Sequence, residues 1–210
     1  MTSRGKYIST LAFAALIGVF AGSAASANDM RASILANTCN GCHGPDGTSY
    51  GPAAPTIGGT NKDYMVETMK AFRSGDRPST IMQRIAKGYN DEEIELIAGF
   101  FAAKPFGRVL DQGSDAALAE KGKAIYDNLC EGCHEDNGFA AEDYPALAGQ
   151  MMPYLEHEIR DLIAGTRDLE KNEALSSKER RKKQRNLKEL VDTHGDEGIA
   201  ALVNFFGSQK

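Results

Sequence analysis

The chain has 210 residues, of which 41% are hydrophobic and 25% are charged. This is the composition of an ordinary folded globular protein with one or two small domains, and it excludes wholesale disorder. The formal net charge of −5 and the pI of about 5.4 argue against nucleic acid as a partner.

The first 27 residues have the pattern of an export signal. Arg4 and Lys6 supply the positive start, Leu11 to Phe20 the apolar middle, and Ala25-Ser26-Ala27 a small-residue cleavage site. The apolar run is too short to span a bilayer, so we expect cleavage after Ala27 and no membrane span afterwards. Loss of Arg4 and Lys6 takes the net charge from −5 to −7, which predicts an acidic protein of the oxidising periplasm.

Two five-residue motifs, Cys39-Asn-Gly-Cys-His43 and Cys130-Glu-Gly-Cys-His134, dominate the rest of the chain. Two cysteines three positions apart with a histidine directly after the second form the attachment sequence of a c-type haem. The thiols bond to the porphyrin and the imidazole binds the iron. The sequence therefore predicts two haem c groups, attached through Cys39, Cys42, Cys130 and Cys133 and bound at iron by His43 and His134.

Disulfides and zinc are the rival explanations of four cysteines in an exported protein. A structural disulfide does not require a histidine beside each cysteine pair, so disulfides would leave both histidines unexplained. A closed zinc site needs four ligands, whereas each motif offers three and the chain has no further cysteine. Both alternatives are weaker than haem attachment.

The sequence is two copies of one domain. Cys130 lies 91 residues after Cys39, and matching residues recur downstream at offsets of 90 and then 105. The jump between these offsets indicates 15 extra residues in the second copy. We place the first domain at 28–104, a Gly- and Pro-bearing linker at 105–114, and the second domain at 115–210, with a charged insert at about 168–190.

Each copy is predicted to be all-helical. A helix should lead into each haem motif, and a second helix should carry the apolar stripe Met65, Met69 and Phe72 or its counterpart Leu155, Ile159 and Leu162. The last helix of each copy has apolar residues at i, i+3, i+4 and i+7. We expect Asn90 and Glu93 to cap the first of these last helices and Gly195 to open the second.

The sixth iron ligand decides what each haem can do, because a methionine gives a closed site of raised potential that is suited to electron transfer. In the first domain Met82 follows a proline-led irregular stretch, where a loop could carry its sulfur over the iron. Met65 and Met69 lie on the apolar helix stripe and are better explained as core residues.

The second domain has no methionine after Met152. The open candidates for its sixth ligand are His194 in the loop before the last helix, Lys183 in the insert, water, or an empty position. Met151 and Met152 are interpreted as packing residues. The insert also contains the basic run Arg180 to Arg185, which is either a solvated helical face or a docking patch for an acidic partner.

Several stretches resemble the diheme cytochrome subunit of flavocytochrome c sulfide dehydrogenase. They are Cys39 to Gly44, Arg77 to Met82, Ile85 to Tyr89, Asp91 to Ile94, Cys130 to His134, Leu147 to Gln150, and Pro153 to Leu155. The resemblance implies two tandem class I cytochrome c domains, an FAD-containing partner subunit that oxidises sulfide, and another redox protein as electron acceptor. Members of that family carry methionine on both irons, a pattern that only the first domain follows through Met82.

Two other functions fit the same motifs. A free-standing diheme cytochrome c that delivers electrons to a terminal oxidase would share the two-domain layout. A haem enzyme or sensor would need an open second haem, and we expect no peroxidase activity because no distal acid–base pair is visible. By itself the chain is therefore expected to transfer electrons and to catalyse no substrate reaction.

Overall fold

A computed structural model of the protein describes residues 27–108, 111–140, 144–171 and 175–210. Within these ranges all regular structure is helical and no strand occurs, which confirms the predicted all-α class. The predicted export signal lies outside the described residues, apart from Ala27. No helix in the described part is long and apolar enough to cross a membrane.

Nine helices form the two halves of the described chain. The first half contains α1 (27–37), α2 (Asn40–His43), α3 (Lys62–Ser74), α4 (Met82–Ala86) and α5 (Asp91–Ala102). The second half contains α6 (Ala116–Leu129), α7 (Met152–Ile163), α8 (Ser177–Glu189) and α9 (Gly195–Ser208). A π-helical turn, Leu190–His194, joins α8 to α9.

Side-chain caps account for where several helices begin. Asn90 accepts a hydrogen bond from the Glu93 amide while the Glu93 carboxylate accepts one from the Asn90 amide, so α5 has the predicted capping box. Ser176 and Glu179 form the same arrangement at the start of α8. The predicted start of α9 at Gly195 is also confirmed.

Each half has its own hydrophobic cluster, as expected of a duplicated domain. The first cluster contains Met65 and Met69 of α3 together with Ile94, Ile97 and Phe101 of α5. The second cluster is built on α6 and α9, with Leu155 of α7 and Leu190 of the π-helical turn. The predicted apolar stripes of α3 and α7 therefore face the two cores.

Helices α6 and α9 cross in close contact because Gly122 has no side chain. A Cβ atom at Gly122 would lie 2.1 Å from the carbonyl oxygen of Ala201, a distance that the backbone could not tolerate. This contact brings the helix that leads into the second haem motif against the helix that ends the chain.

The two halves also contact each other through buried polar groups. Thr56 and Gln150 exchange two hydrogen bonds, from the Thr56 amide to Gln150 Oε1 at 2.8 Å and from Gln150 Nε2 to the Thr56 carbonyl at 2.9 Å. Both residues are almost fully buried, at 2% and 5% exposure. This reciprocal pair fixes the segment after the first haem motif against the start of α7.

Candidate haem sites

In the first half, the haem motif follows α1 directly and its second part forms α2. His43, at the end of α2, is buried, and its Nδ1 atom lies 2.8 Å from the carbonyl oxygen of Pro55. Because this contact uses Nδ1, the other ring nitrogen, Nε2, is left to bind a metal. Burial lowers the pKa of His43, which favours the neutral imidazole that ligates iron. The site therefore fits the group that the motif predicts.

The local structure at Met82 differs in detail from the prediction. The structure makes it the first residue of α4 and not part of an irregular loop. Its half-buried side chain packs against the same hydrophobic cluster as Cys39. Met65 and Met69 lie within that cluster at 7% and 8% exposure, as expected of packing residues.

In the second half, Cys130 ends α6 and the rest of the motif forms a turn. Burial lowers the pKa of His134 to about 3, an effect that the nearby Lys183 ammonium increases. Burial likewise raises the pKa of the Cys130 thiol to about 12. The Tyr126 hydroxyl donates a 2.5 Å hydrogen bond to the His134 carbonyl, so the second core positions the motif's backbone.

The proximal contact of His134 is looser than that of His43. Pro145 is the residue of the second half that corresponds to Pro55, and its carbonyl raises the pKa of His134. The buried Nδ1 atom of His134 nevertheless has no well-formed hydrogen bond to a described residue. The ring instead lies 5.5 Å, between centroids, from the ring of Tyr144. The two halves therefore hold their proximal histidines differently.

No disulfide joins any of the four cysteines, so their sulfurs remain available for haem attachment. In the described ranges no group of three or more His, Cys, Asp or Glu side chains gathers as a metal cage. This result gives no support to the zinc alternative, which already lacked a fourth ligand.

The charged insert folds as α8 and covers the second haem motif. Lys182 Nζ donates to the Gly132 carbonyl at 3.1 Å, and Asn186 donates to the Leu129 carbonyl. At the start of α8, the Tyr144 hydroxyl donates to Glu179 at 2.6 Å. A groove lined by Gly132, Cys133, Tyr144, Ser176, Lys178, Glu179 and Lys182 runs between the motif and this helix.

The basic residues of α8 differ in how far they are exposed to solvent. Arg181 and Arg185 are exposed, whereas Lys183 is half-buried. Burial, increased by the positive charge of Arg167, lowers the pKa of Lys183 to about 8. His194, the other candidate ligand, is exposed at the end of the π-helical turn.

A buried charged cluster between the halves was not predicted. Glu158 of α7 accepts hydrogen bonds from Arg77 and Arg167, while Tyr64 and Tyr154 lie beside the guanidinium groups. At the offset of 90, Tyr64 corresponds to Tyr154 and Arg77 to Arg167, so the sequence marks all four residues as matching positions of the repeat. Their shared location could have been inferred from that match, but the role of Glu158 could not, because its counterpart in the first half is Thr68.

Comparison with known proteins shows that the chain is similar to cytochromes c. The family model described as Cytochrome c matches residues 119–210. Cytochrome c4 of Pseudomonas aeruginosa is 28% identical over 153 residues, covering 68% of this chain and 73% of that protein. The thiosulfate dehydrogenase electron acceptor of Stutzerimonas stutzeri is 30% identical over 188 residues, covering 84% of this chain and 81% of that protein.

A shorter match of higher identity is that to the cytochrome subunit of sulfide dehydrogenase from Chlorobaculum tepidum. The two are 45% identical over 73 residues, which is 35% of this chain and 66% of the relative. Among solved structures, reduced recombinant cytochrome c4 from Pseudomonas stutzeri superposes with a TM-score of 0.70 at 23% identity, covering 86% of this chain and 97% of that one. This likeness confirms the tandem class I fold.

Proposed function

The chain belongs to the diheme cytochrome c4-like family, and on that premise we propose that it relays electrons from a dehydrogenase of reduced sulfur to another redox protein in the periplasm. Its two haem c groups supply one-electron chemistry, and the family consists of electron carriers and cytochrome subunits that are not themselves catalytic enzymes. The first candidate for the electron donor is the FAD-containing subunit of a sulfide dehydrogenase.

Named residues would hold the two haems. Cys39, Cys42, Cys130 and Cys133 form the covalent bonds, His43 and Met82 bind the first iron, and His134 binds the second. The observation that best supports this assignment is the 2.8 Å contact between His43 Nδ1 and the Pro55 carbonyl, because it orients the ring and leaves Nε2 available. The hydrophobic cluster around Cys39 and Met82 would exclude water from the first site.

The choice of partner rests on sequence similarity. The 73-residue match to a sulfide dehydrogenase cytochrome subunit, at 45% identity, is the observation that carries it. The stretches around Cys39 and Met82 that resemble this family also support a sulfide dehydrogenase as the electron donor. A flavoprotein donor would dock beside one haem edge, and the polypeptide would hold the two haems at a fixed separation.

A second candidate donor is a thiosulfate dehydrogenase. The similarity to a thiosulfate dehydrogenase electron acceptor is lower, at 30% identity, but it extends over 84% of this chain and so includes both halves. A carrier of this kind need not bind its donor permanently. A free-standing diheme cytochrome c that delivers electrons to a terminal oxidase would also be a carrier without a permanently bound donor.

Reduction kinetics with purified donors would separate these candidates. The oxidised holoprotein should be reduced within the turnover time of an FAD-containing sulfide dehydrogenase subunit supplied with sulfide, and it should copurify with that subunit. Rapid reduction by thiosulfate dehydrogenase with thiosulfate, and none by the flavoprotein, would replace the first donor by the second. Failure with both donors would contradict a role in sulfur oxidation.

A further inference from the structure

The second haem site lacks a methionine, and α8 occupies the segment that should provide the distal ligand. At the offset of 105, Met82 of the first half corresponds to Leu187, which cannot bind iron. Met152 packs into the second core beside Gly207, and Met151 is also buried, so both act in packing. Another side chain of this half must approach the iron if the site is closed.

Helix α8 lies directly over the motif that attaches the second haem. Lys182 binds the Gly132 carbonyl within the motif, and Asn186, one turn later, binds the Leu129 carbonyl just before it. Lys183 is adjacent to the first of these anchors and three residues before the second. It also precedes Leu187 by one helical turn, so the two side chains share a face of α8.

Four basic residues of α8 have no hydrogen bond or ion pair with a described residue, and among them only Lys183 is half-buried, whereas Lys178, Arg181 and Arg185 are exposed. Lys182 binds Gly132, Lys188 pairs with Asp192, and Arg180 donates to the Leu175 carbonyl. Among the described residues, Lys183 makes no hydrogen bond or ion pair, its side chain is half-buried, and its ammonium group is close enough to lower the pKa of both His134 and Cys130. A half-buried lysine that has no polar partner is costly unless its amine has another role.

We propose that the Nζ amine of Lys183 is the sixth ligand of the second haem iron. This assignment rests on the proposed attachment of haem at Cys130 to His134. Binding uses the nitrogen lone pair, so the ammonium group releases one proton to solvent as the bond to iron forms. The second site is then a His–Lys site, whereas the first is a His–Met site, and the second haem has the lower potential of the two.

The competing ligand, His194, has the wrong environment. Its side chain is exposed at the end of the π-helical turn, and its Cβ atom packs over Gly198 of α9. A lysine ligand also explains why the insert is both charged and helical. The helix carries one amine inward over the motif and leaves its arginines outside.

The test uses the full-length holoprotein and four variants, Lys183→Ala, Lys183→Met, Arg181→Ala and His194→Ala. Haem content per chain is measured first, and the ferric protein is then studied by electron paramagnetic resonance and near-infrared magnetic circular dichroism. Arg181→Ala is the matched control, because it removes an exposed basic side chain of the same helix. Lys183→Met keeps an unbranched side chain in case the alanine variant folds poorly.

We expect two haems per chain throughout. Lys183→Ala should convert one of the two haems from low to high spin, and Lys183→Met should add a second methionine-to-iron band. Arg181→Ala and His194→Ala should leave both haems unchanged. An unchanged low-spin spectrum in both Lys183 variants, or loss of the ligand in His194→Ala, would overturn the assignment while leaving the proposed function intact. A wild-type chain with fewer than two haems would overturn the proposed function as well.

Discussion

Arg77 of the first half donates a 2.6 Å hydrogen bond to Glu158 of the second half, and both side chains are largely buried. Arg167, the counterpart of Arg77 in the repeat, binds the other oxygen of the same carboxylate. One carboxylate thus serves two equivalent guanidinium groups. Burial alone would raise the pKa of Tyr64, but the two arginines lower it to about 7. The cluster joins the halves and adds positive potential beside the second haem site.

Replacing Glu158 should weaken this interface strongly. Glu158→Gln leaves two buried guanidinium groups without their carboxylate, and removal of one member of a buried ion pair typically costs about 3–5 kcal/mol. We expect a loss of unfolding free energy of that order in denaturant titrations of the holoprotein. Glu156→Gln is the matched control on the same helix, since its partner Arg160 is exposed and the expected change is below about 1 kcal/mol. Equal effects of the two substitutions would contradict a special role for Glu158.

The same carboxylate predicts a dependence of stability on pH. Burial would raise the pKa of Glu158, but Arg77 and Arg167 lower it below the ordinary glutamate value in the folded protein. The stabilisation is therefore complete above the ordinary pKa of about 4.5 and is lost as the pH falls towards the lower folded pKa. Wild-type unfolding free energy should decline through this acid range, and Glu158→Gln should show a smaller decline. Parallel pH curves for the two proteins would be inconsistent with this assignment.

Met82→Ala should change the first haem alone. Loss of the thioether removes the ligand that raises the potential, so the midpoint should fall by on the order of a hundred millivolts, within the range of about 0.8 V that axial ligands span. The opened site should also bind carbon monoxide in the ferrous state. Met69→Leu is the control, since Met69 is a core residue of the same cluster. An unchanged potential in Met82→Ala would show that another residue binds the first iron.

The exposed arginines of α8 should govern encounters at the second haem. Arg181→Glu combined with Arg185→Glu reverses the charge beside the motif that Lys182 contacts. Oxidation of the ferrous protein by the hexacyanoferrate(III) anion should slow by about tenfold at low ionic strength and recover in high salt. A cationic cobalt oxidant should show the opposite trend. Lys87→Glu, in the first half, is the control, and the docking interpretation fails if it slows the anion equally.

The sequence was most informative for features that a single motif or a single hydrophobic period is enough to predict. The haem motifs, the repeat and the helices that carry Met65 and Leu155 could all be predicted, because each depends on local spacing. The start of α4 at Met82 could not be predicted, because the stretch that begins at Pro78 has no helical pattern and α4 itself is only five residues long. Neither could the inward face of α8, because the inward and outward positions of Lys183 and Arg181 follow from tertiary packing and not from charge.

The buried cluster shows a different limit. Tyr64, Tyr154, Arg77 and Arg167 were visible as repeated positions, but a repeat does not state that two copies of a residue meet. Their contact arises from how the halves pack, and Glu158 supplies its negative charge from one half alone. The asymmetric charge of this cluster therefore had to be observed in three dimensions, whereas the missing methionine of the second haem site was visible in the sequence.

The central claim is that one chain carries two covalent haems with unequal distal ligands. Near-infrared magnetic circular dichroism of the oxidised wild-type holoprotein, normalised to its haem content, tests this most directly. We predict two low-spin haems per chain, with one methionine-to-iron band and one band of a nitrogen-ligated iron in equal amounts. Two methionine bands, or a high-spin second haem, would contradict the account.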